Sequence, residues 1–506
     1  MKKNNYYSIT AGILLYFFFL CSSTSANNQS WFQKSTPGEQ GIDPEAILTF
    51  IEKAEAEIDA MHSFMILRHG KLVSQGWWEP FDPETPHVLH SLSKSFTSTA
   101  IGIAAKEGLL SLDDRVISFF PKEAPEDPSD NMKAMRIRDL ITMNTGHVDK
   151  PWPEDKDKNW VKNFFEAEVD LKPGTHFRYN SMATYMLSAI IQKVSGEKLI
   201  VYLNKRLFIP LEIEYPYWET CPEGRNVAGW GLYVTTEDIA KLGQLYLQKG
   251  HWEGKQILSE EWVEMATSKQ TSTGSNPHSD WDQGYGFQFW RCRNNCYRGD
   301  GAFGQFCLVL PEQDAVIAIT SGTYDMGGIL QLVWDILLPA MHEKPLPSNP
   351  EALNVLKKKT ASLQIKLPQG NESSELMQKL SGSGFAIDEN DVGLKSVSFD
   401  FNNDQHKIHI EMDQGAAIIP AGTDKYLDKK PINPLPYTDI VPGPVASAGA
   451  WIEPDKYRIR IYFTESTARL IYTFHFKDDE LIWESDLKFA LFGENEKKLF
   501  RGKKKI

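Results

Sequence analysis

A change of hydrophobic period falls near residue 345 of this 506-residue chain. Upstream, apolar residues recur at helical intervals in some segments and cluster in short strand-like runs in others. Downstream they alternate strictly with polar residues over 396–401, 407–412, 457–463 and 470–476, the period of a half-buried strand. A Pro-rich stretch at 345–350 separates the two regimes. One core does not serve both patterns, and the length exceeds what a single small core needs. An all-β module is therefore expected over 365–506, after a linker at 343–364 that carries a lysine-rich helical piece at 353–362.

Upstream, 64–67 and 72–73 flank His69-Gly70-Lys71 and predict a hairpin with His69 in its turn. From Ser91 to about Glu107, Leu92, Phe96, Ala100-Ile101 and Ala104 recur at helical spacing until Gly108 stops them. Further helices are predicted over 185–194, ended by Gly196, and over 236–248, where Thr235 or Thr236 precedes Glu237 and Asp238 as a helix start requires. Strands are predicted at 285–290 and 302–310, then at 315–321 after Pro311-Glu312-Gln313-Asp314. Early and late strands with helices between them give an α+β fold whose sheet is assembled from distant segments.

The N-terminus reads Met1-Lys2-Lys3, then an apolar run over 9–20, then small polar residues ending at Thr24-Ser25-Ala26. This is the pattern of a secretory signal peptide over 1–26, and it predicts a secreted or periplasmic protein. The run is short of the ~20 residues a membrane span needs, and no later run approaches that length. The bulky Leu20 before Cys21 argues against lipoprotein processing. A formal net charge of -13, with no basic face, excludes nucleic acid as a main partner, because phosphate binding requires clustered cations. Four cysteines follow residue 26: Cys221, Cys292, Cys296 and Cys307. An oxidising compartment permits disulfides, so Cys292 and Cys296 either close a loop around Arg293-Asn294-Asn295 or stay thiols. A lone Cys-x3-Cys pair is not a zinc site.

A serine hydroxyl is a poor nucleophile until a base removes its proton, and a lysine three residues on along the same helical face is one such base. Ser91-Leu92-Ser93-Lys94 has that spacing. The lysine must be largely neutral to accept the proton, and burial in an apolar helix lowers its pKa by disfavouring the charge. Two further copies, Ser195-Gly196-Glu197-Lys198 and Ser485-Asp486-Leu487-Lys488, lack that setting. The first follows a helix end, and the second lies in the β-rich tail. Ser91 and Lys94 are thus the candidates for nucleophile and base.

The stretch His90-Ser91-Leu92-Ser93-Lys94-Ser95-Phe96-Thr97 resembles the nucleophile helix of class C-type β-lactamases and their esterase and amidase relatives, in the serine β-lactamase and penicillin-binding-protein superfamily. Ile137-Arg138-Asp139-Leu140-Ile141-Thr142-Met143-Asn144-Thr145-Gly146-His147 is similar to another segment of that family. Pro173-Gly174-Thr175-His176-Phe177-Arg178-Tyr179-Asn180-Ser181 resembles its second catalytic motif, and the segment from Gly229 to Ala240 also matches. The resemblance spans about 31–342. It implies a β-lactamase-like catalytic domain, an antiparallel sheet flanked by helices plus a helical subdomain, with a small all-β domain behind it. It also implies a catalytic Tyr179, a phenol whose proton is drawn off by the neighbouring lysine charge and which accepts the serine proton or passes one to the leaving group. Lys94 and Tyr179 both remain candidates for the acylation base and would titrate as a coupled pair. Ser181 is taken as substrate-binding.

The third motif departs from the β-lactamase pattern. Gly299-Asp300-Gly301-Ala302-Phe303-Gly304-Gln305 stands where those enzymes carry Lys or His, then Thr or Ser, then Gly, with Gly299 at the cation's position. The Gly-x-x-Gly-Gln ending resembles the 6-aminohexanoate-oligomer hydrolase branch. The resemblance then implies an oxyanion hole from the backbone N–H groups of Ser91 and Ala302, with Asp300, Gly301 and Gln305 bordering the substrate. Without the cation, efficient β-lactam hydrolysis is not expected. Asp300 either turns the cleft against carboxylates and towards an amine-bearing acyl group, or is a solvated turn residue.

Three features are set aside. Ser129-Asp130-Asn131 spells the second motif of class A β-lactamases but reads as a polar loop among Pro125, Glu126, Asp127 and Pro128. His90 and His147 abut motifs, yet no Gly-x-Ser-x-Gly elbow surrounds Ser91, so both are read as packing or lining residues. Trp77, Trp78, Trp152 and Trp160 are read as core, with an apolar cleft wall as the alternative. The expected function is an exported serine hydrolase of amidase or carboxylesterase type. It cleaves a small-molecule amide or ester through an acyl-enzyme on Ser91, and neither metal nor cofactor is implied. A β-lactamase or D-alanyl peptidase ranks behind it. The competing class is a non-catalytic cell-envelope binding or scaffold protein that keeps the fold, against which the joint presence of Ser91, Lys94 and Tyr179 argues.

Overall fold

The computed structural model describes residues 30–153, 158–402, 405–432, 443–491 and 497–505. The leader assigned to 1–26, with Cys21, lies outside the described residues. The central sheet is antiparallel and six-stranded. In chain order its strands are β1 (Met61–Arg68), β2 (Lys71–Trp77), β3 (Trp290–Arg291), β4 (Tyr297–Gly301), β5 (Gln305–Leu310) and β6 (Ala315–Ser321). They lie in the order β2-β1-β6-β5-β4-β3, with Ile66 of β1 opposite Ile317 of β6. The N-terminal hairpin thus completes a sheet whose other strands come some 200 residues later, the α+β assembly that separated strand signals predict.

Alternation along the strands divides two cores. Phe64, Ile66, Leu308 and Ile317 join helix α1 (Pro44–Glu57), while Met65, Leu67, Cys307, Val309 and Val316 join α2 (Ser93–Lys106), α3 (Ser181–Ser195) and α4 (Thr236–Leu247). Thr235 and Asp238 cap α4 reciprocally, each side chain accepting the other's backbone N–H. At Gly243 the helix comes so near the sheet that a Cβ would stand 2.5 Å from Val316 Cγ1.

Three local expectations are corrected. Residues 285–289 form no strand, and only Trp290, at the end of the expected run, enters one (β3), because Gly284 (φ 121) and Gln288 (φ 62) break the extended run while Tyr285, Phe287 and Phe289 join the helical core. The strand expected from 302 starts at Gln305, since Phe303 (φ 63) and Gly304 (φ 90) make the β4–β5 turn. Ser129-Asp130-Asn131 is not a loop but the start of a short helix, Asp130–Ala134, with Ser129 accepting from Met132 N at 3.2 Å. Cys221, Cys292, Cys296 and Cys307 are buried free thiols. The loop at 293–295 is closed by the backbone bond from Cys292 N to Cys296 O, 2.9 Å, rather than by a bridge between sulfurs.

Beyond helix α5 (Pro350–Thr360), ten antiparallel strands follow among the described residues: β7 (Gly384–Ile387), β8 (Leu394–Phe401), β9 (His406–Met412), β10 (Gly415–Ala421), β11 (Leu427–Pro431), β12 (Pro444–Glu453), β13 (Lys456–Phe463), β14 (Arg469–Lys477), β15 (Glu480–Lys488) and β16 (Lys497–Lys504). Their order is β10-β9-β8-β7-β16-β15-β14-β13-β12-β11. The sheet curls onto itself where Gly449 N, in β12, donates to Gly422 O just past β10, 2.8 Å. Period two places Val397, Phe399, Ile410, Ile459, Phe474 and Trp483 in one interior. This barrel is seated against the α1 side of the first body: Tyr462 of β13 lies in that core, and both Nη atoms of Arg469 donate to Asp59 at 3.0 Å. Among the described residues no helix is long and apolar enough to cross a membrane.

Candidate active site

Ser91 stands in a 3-10 turn, His90–Leu92, that runs directly into α2. It is partly exposed, while Lys94, one turn further on, is buried. Lys94 Nζ lies 3.0 Å from Ser91 Oγ, 3.1 Å from Ser181 Oγ and 2.5 Å from the carbonyl oxygen of Gly229. Burial pulls its pKa down to about 7, against the opposing charge of Asp300. Three oxygens thus lie within hydrogen-bond reach of one amine, which in its neutral form has two N–H donors and one lone pair.

Tyr179 approaches from the segment before α3. Lys94 Nζ sits 4.8 Å from its ring centre, and its hydroxyl hydrogen-bonds the Ser91 side chain. Trp290 stacks on the same ring, centroids 5.7 Å apart and 21° between planes. Burial raises the Tyr179 pKa well above that of an ordinary phenol, and the bond to Ser91 offsets only part of this. Asn180 Oδ1 accepts from Met182 N at 3.0 Å and caps α3, which sets Ser181 in the first turn with its hydroxyl towards Lys94.

The β4–β5 hairpin forms the facing wall. A Cβ on Gly299 would stand 2.1 Å from Leu92 Cδ1, and one on Gly301 would stand 2.2 Å from Leu89 O. A side chain at position 299 would therefore have to displace Leu92 of the Ser91 turn. Asp300 is neither a free cleft charge nor a solvated turn residue. It is buried, accepts from Arg298 Nε at 2.8 Å and lies 2.7 Å from Arg298 Nη2. Gln305, read as bordering the substrate, is buried and braces the turn instead: Nε2 donates to Ala302 O (3.1 Å) and Ser321 O (2.8 Å), and Oε1 accepts from Ser321 N (3.2 Å).

Two participants were not singled out from the sequence. Arg298 is fully buried, with Nη1 also donating to Asp280 O at 2.9 Å and to Cys292 Sγ at 3.1 Å. Its pairing with Asp300 was readable as opposite charges two apart on one strand face. The Gly229 carbonyl carries no side-chain signal at all. Of the other Ser-x-x-Lys copies, Ser195 bonds Ile191 O at 2.7 Å at the end of α3, and Ser485 is buried in the barrel. His147 is buried, 3.0 Å from Thr145 Oγ1, with its ring against Phe164. Trp78 is core, but Trp152 is exposed and stacks at 5.1 Å on Trp230, next to the Gly229 carbonyl. Among the described residues no group of three His, Cys, Asp or Glu is arranged to hold a metal ion.

The family model described as Beta-lactamase matches residues 54–328. The 6-aminohexanoate-dimer hydrolase of Paenarthrobacter ureafaciens is 25% identical over 316 residues, 58% of this chain and 80% of that protein. Protein flp of Staphylococcus aureus is 27% identical over 196 residues, 35% of this chain and 39% of that one. Among solved structures, a candidate 6-aminohexanoate-dimer hydrolase from Bacillus anthracis superposes with a TM-score of 0.51 at 21% identity, over 63% of this chain and 89% of its own. A candidate beta-lactamase from Bacteroides dorei gives 0.50 at 16% identity, over 58% and 99%. Both share the fold of the first body.

Proposed function

The chain belongs to the Beta-lactamase family, a family of serine hydrolases, and from that membership we propose that it hydrolyses an amide or ester of a small molecule through an acyl-enzyme on Ser91. The observation that carries the reading is the buried Lys94 amine 3.0 Å from the Ser91 hydroxyl. Neutral Lys94 takes the Ser91 proton as Oγ attacks the carbonyl carbon. The N–H groups of Ser91 and Ala302 hold the oxyanion. Tyr179 keeps its proton at neutral pH, so it is the donor to the leaving amine or alkoxide and is recharged from Lys94. Water then enters by the same route in reverse and releases the acyl group. Ser181 orients the Lys94 amine rather than the substrate.

The β4–β5 wall supports a reading of the substrate class. With glycine at 299 and Arg298 committed to Asp300, no cation from that strand is free to hold a substrate carboxylate. This favours linear amides and carboxylesters over β-lactams and D-alanyl peptides, and it agrees with the resemblance to 6-aminohexanoate-dimer hydrolase. Export rests on the leader pattern at 1–26. The test is a panel of 4-nitrophenyl acyl esters, 6-aminohexanoate-type linear amides and a chromogenic cephalosporin, assayed with the wild type and Ser91→Ala. Turnover of esters or amides that Ser91→Ala abolishes is the expected result. Cephalosporin turnover above that of every ester and amide would overturn the substrate assignment.

A further inference from the structure

The turn between β13 and β14 does not project into solvent. It enters the first body beside Ser91: Val88 N donates to Glu465 O at 2.9 Å, and a Cβ on Gly322 would stand 2.8 Å from Thr467 O. His90, the residue before Ser91, is buried there with Nε2 2.9 Å from Thr467 Oγ1. Thr467 Oγ1 in turn donates to Phe489 O at 2.6 Å. A hydroxyl has one proton, so Thr467 accepts from His90, which places a hydrogen on the ring's Nε2. Burial, lowering the His90 pKa to about 3, keeps that ring neutral.

A second contact reaches the opposite wall. The Phe489 ring lies 5.8 Å from Phe303 and 4.7 Å from Tyr324, and the Phe303 ring stands edge-on to His90 at 5.6 Å. Phe303 follows Ala302 in the β4–β5 turn. His90 and Phe303 both hold positive φ, 47° and 63°, a conformation that non-glycine residues keep only where their surroundings over-determine it. Those surroundings include two side chains from the barrel.

We propose that Thr467 and Phe489 are positioning residues of the hydrolase site: through His90 and Phe303 the barrel fixes the Ser91 and Ala302 backbone N–H groups, so the first body is a complete enzyme only with the barrel docked. The inference rests on the reading of Ser91 and Ala302 given above. It is tested on the full-length chain with a fluorophosphonate concentration series, read by intact mass, for the wild type, Thr467→Val, Thr467→Ser, Phe489→Leu and Ser91→Ala, with a thermal midpoint for each. The limiting labelling rate is expected to fall about tenfold in Thr467→Val and Phe489→Leu, the scale of a small misplacement at a reacting centre. The half-saturating probe concentration stays unchanged, and Thr467→Ser, which keeps the hydroxyl, reacts as the wild type does. Wild-type limiting rates in Thr467→Val and Phe489→Leu would overturn the proposal, as would a Thr467→Ser slowed as much as Thr467→Val. Should Thr467→Val fail to fold, Phe489→Leu set against Thr467→Ser decides the same question. Absence of labelling in the folded wild type would overturn the Ser91 reading, and this inference with it. Labelling lost only in Ser91→Ala would overturn this inference alone.

Discussion

An amine surrounded by two hydroxyls and a carbonyl inside a protein has exchanged water for three fixed oxygens, and its charge is held up by less solvation than before. For Lys94 that exchange brings the pKa to about 7, and the sign of the consequence is definite. Below that pH the ammonium cannot accept the Ser91 proton; above it the amine can. Acylation should therefore rise with pH through about 7 and level off above, measured as the initial burst with an activated ester. A rate that falls across that interval contradicts the assignment. Lys94→Met should lower the same rate by about 10²- to 10⁴-fold, the range of a general base, in a protein that still folds. Asp300→Asn addresses the neighbouring pair. Because Arg298 already neutralises Asp300, the ranking of cationic and anionic test esters should not change. Leaving Arg298 buried and unpaired should instead cost about 3–5 kcal/mol in urea unfolding.

At the scale of elements, what was legible in the sequence was whatever short-range chemistry decides. Gly108, Gly196 and the Thr235–Asp238 box end or begin α2, α3 and α4 within a few residues of where the periodicity places them. The turn His69-Gly70 locates the first hairpin, and strict alternation finds the barrel. The Ser91–Lys94 spacing survives because three residues on a helix face always meet. What was not legible depends on partners far along the chain. The apolar run 285–290 mimics a strand until its rings find the helical core, and Gln305 reads as a cleft residue until Ser321 claims its amide. Gly299 shows the same dependence in reverse: glycine there looked like a missing cation, and the fold adds that a larger residue would have to displace Leu92. Gly299→Ala should push Leu92 aside, costing about 1–3 kcal/mol as overpacking does, and should slow fluorophosphonate labelling because Leu92 adjoins Ser91. Unchanged stability and labelling would show that the β4–β5 hairpin does not hold the Ser91 turn.

The whole molecule joins an α+β body and a barrel through contacts that are both apolar and charged: Tyr462 sits in the first body's core, and Arg469 donates twice to Asp59. Two bodies coupled in this way should unfold in one calorimetric transition. Arg469→Met should lower that transition by about 1–3 kcal/mol, the worth of hydrogen bonds to a charged group, and two separate transitions in the wild type would contradict the coupling. The alternation downstream of 345 was enough to find the all-β module, but its docking contacts, Tyr462, Arg469 and the 464–468 turn between them, carry no pattern of their own. All of this matters for function only if Ser91 is an activated nucleophile, and the most direct measurement of that is the intact mass of the protein after fluorophosphonate exposure, beside Ser91→Ala. The account predicts a single adduct that maps to Ser91 and is lost in the variant. A folded wild type that gains no mass, or an adduct that persists in Ser91→Ala, would contradict it.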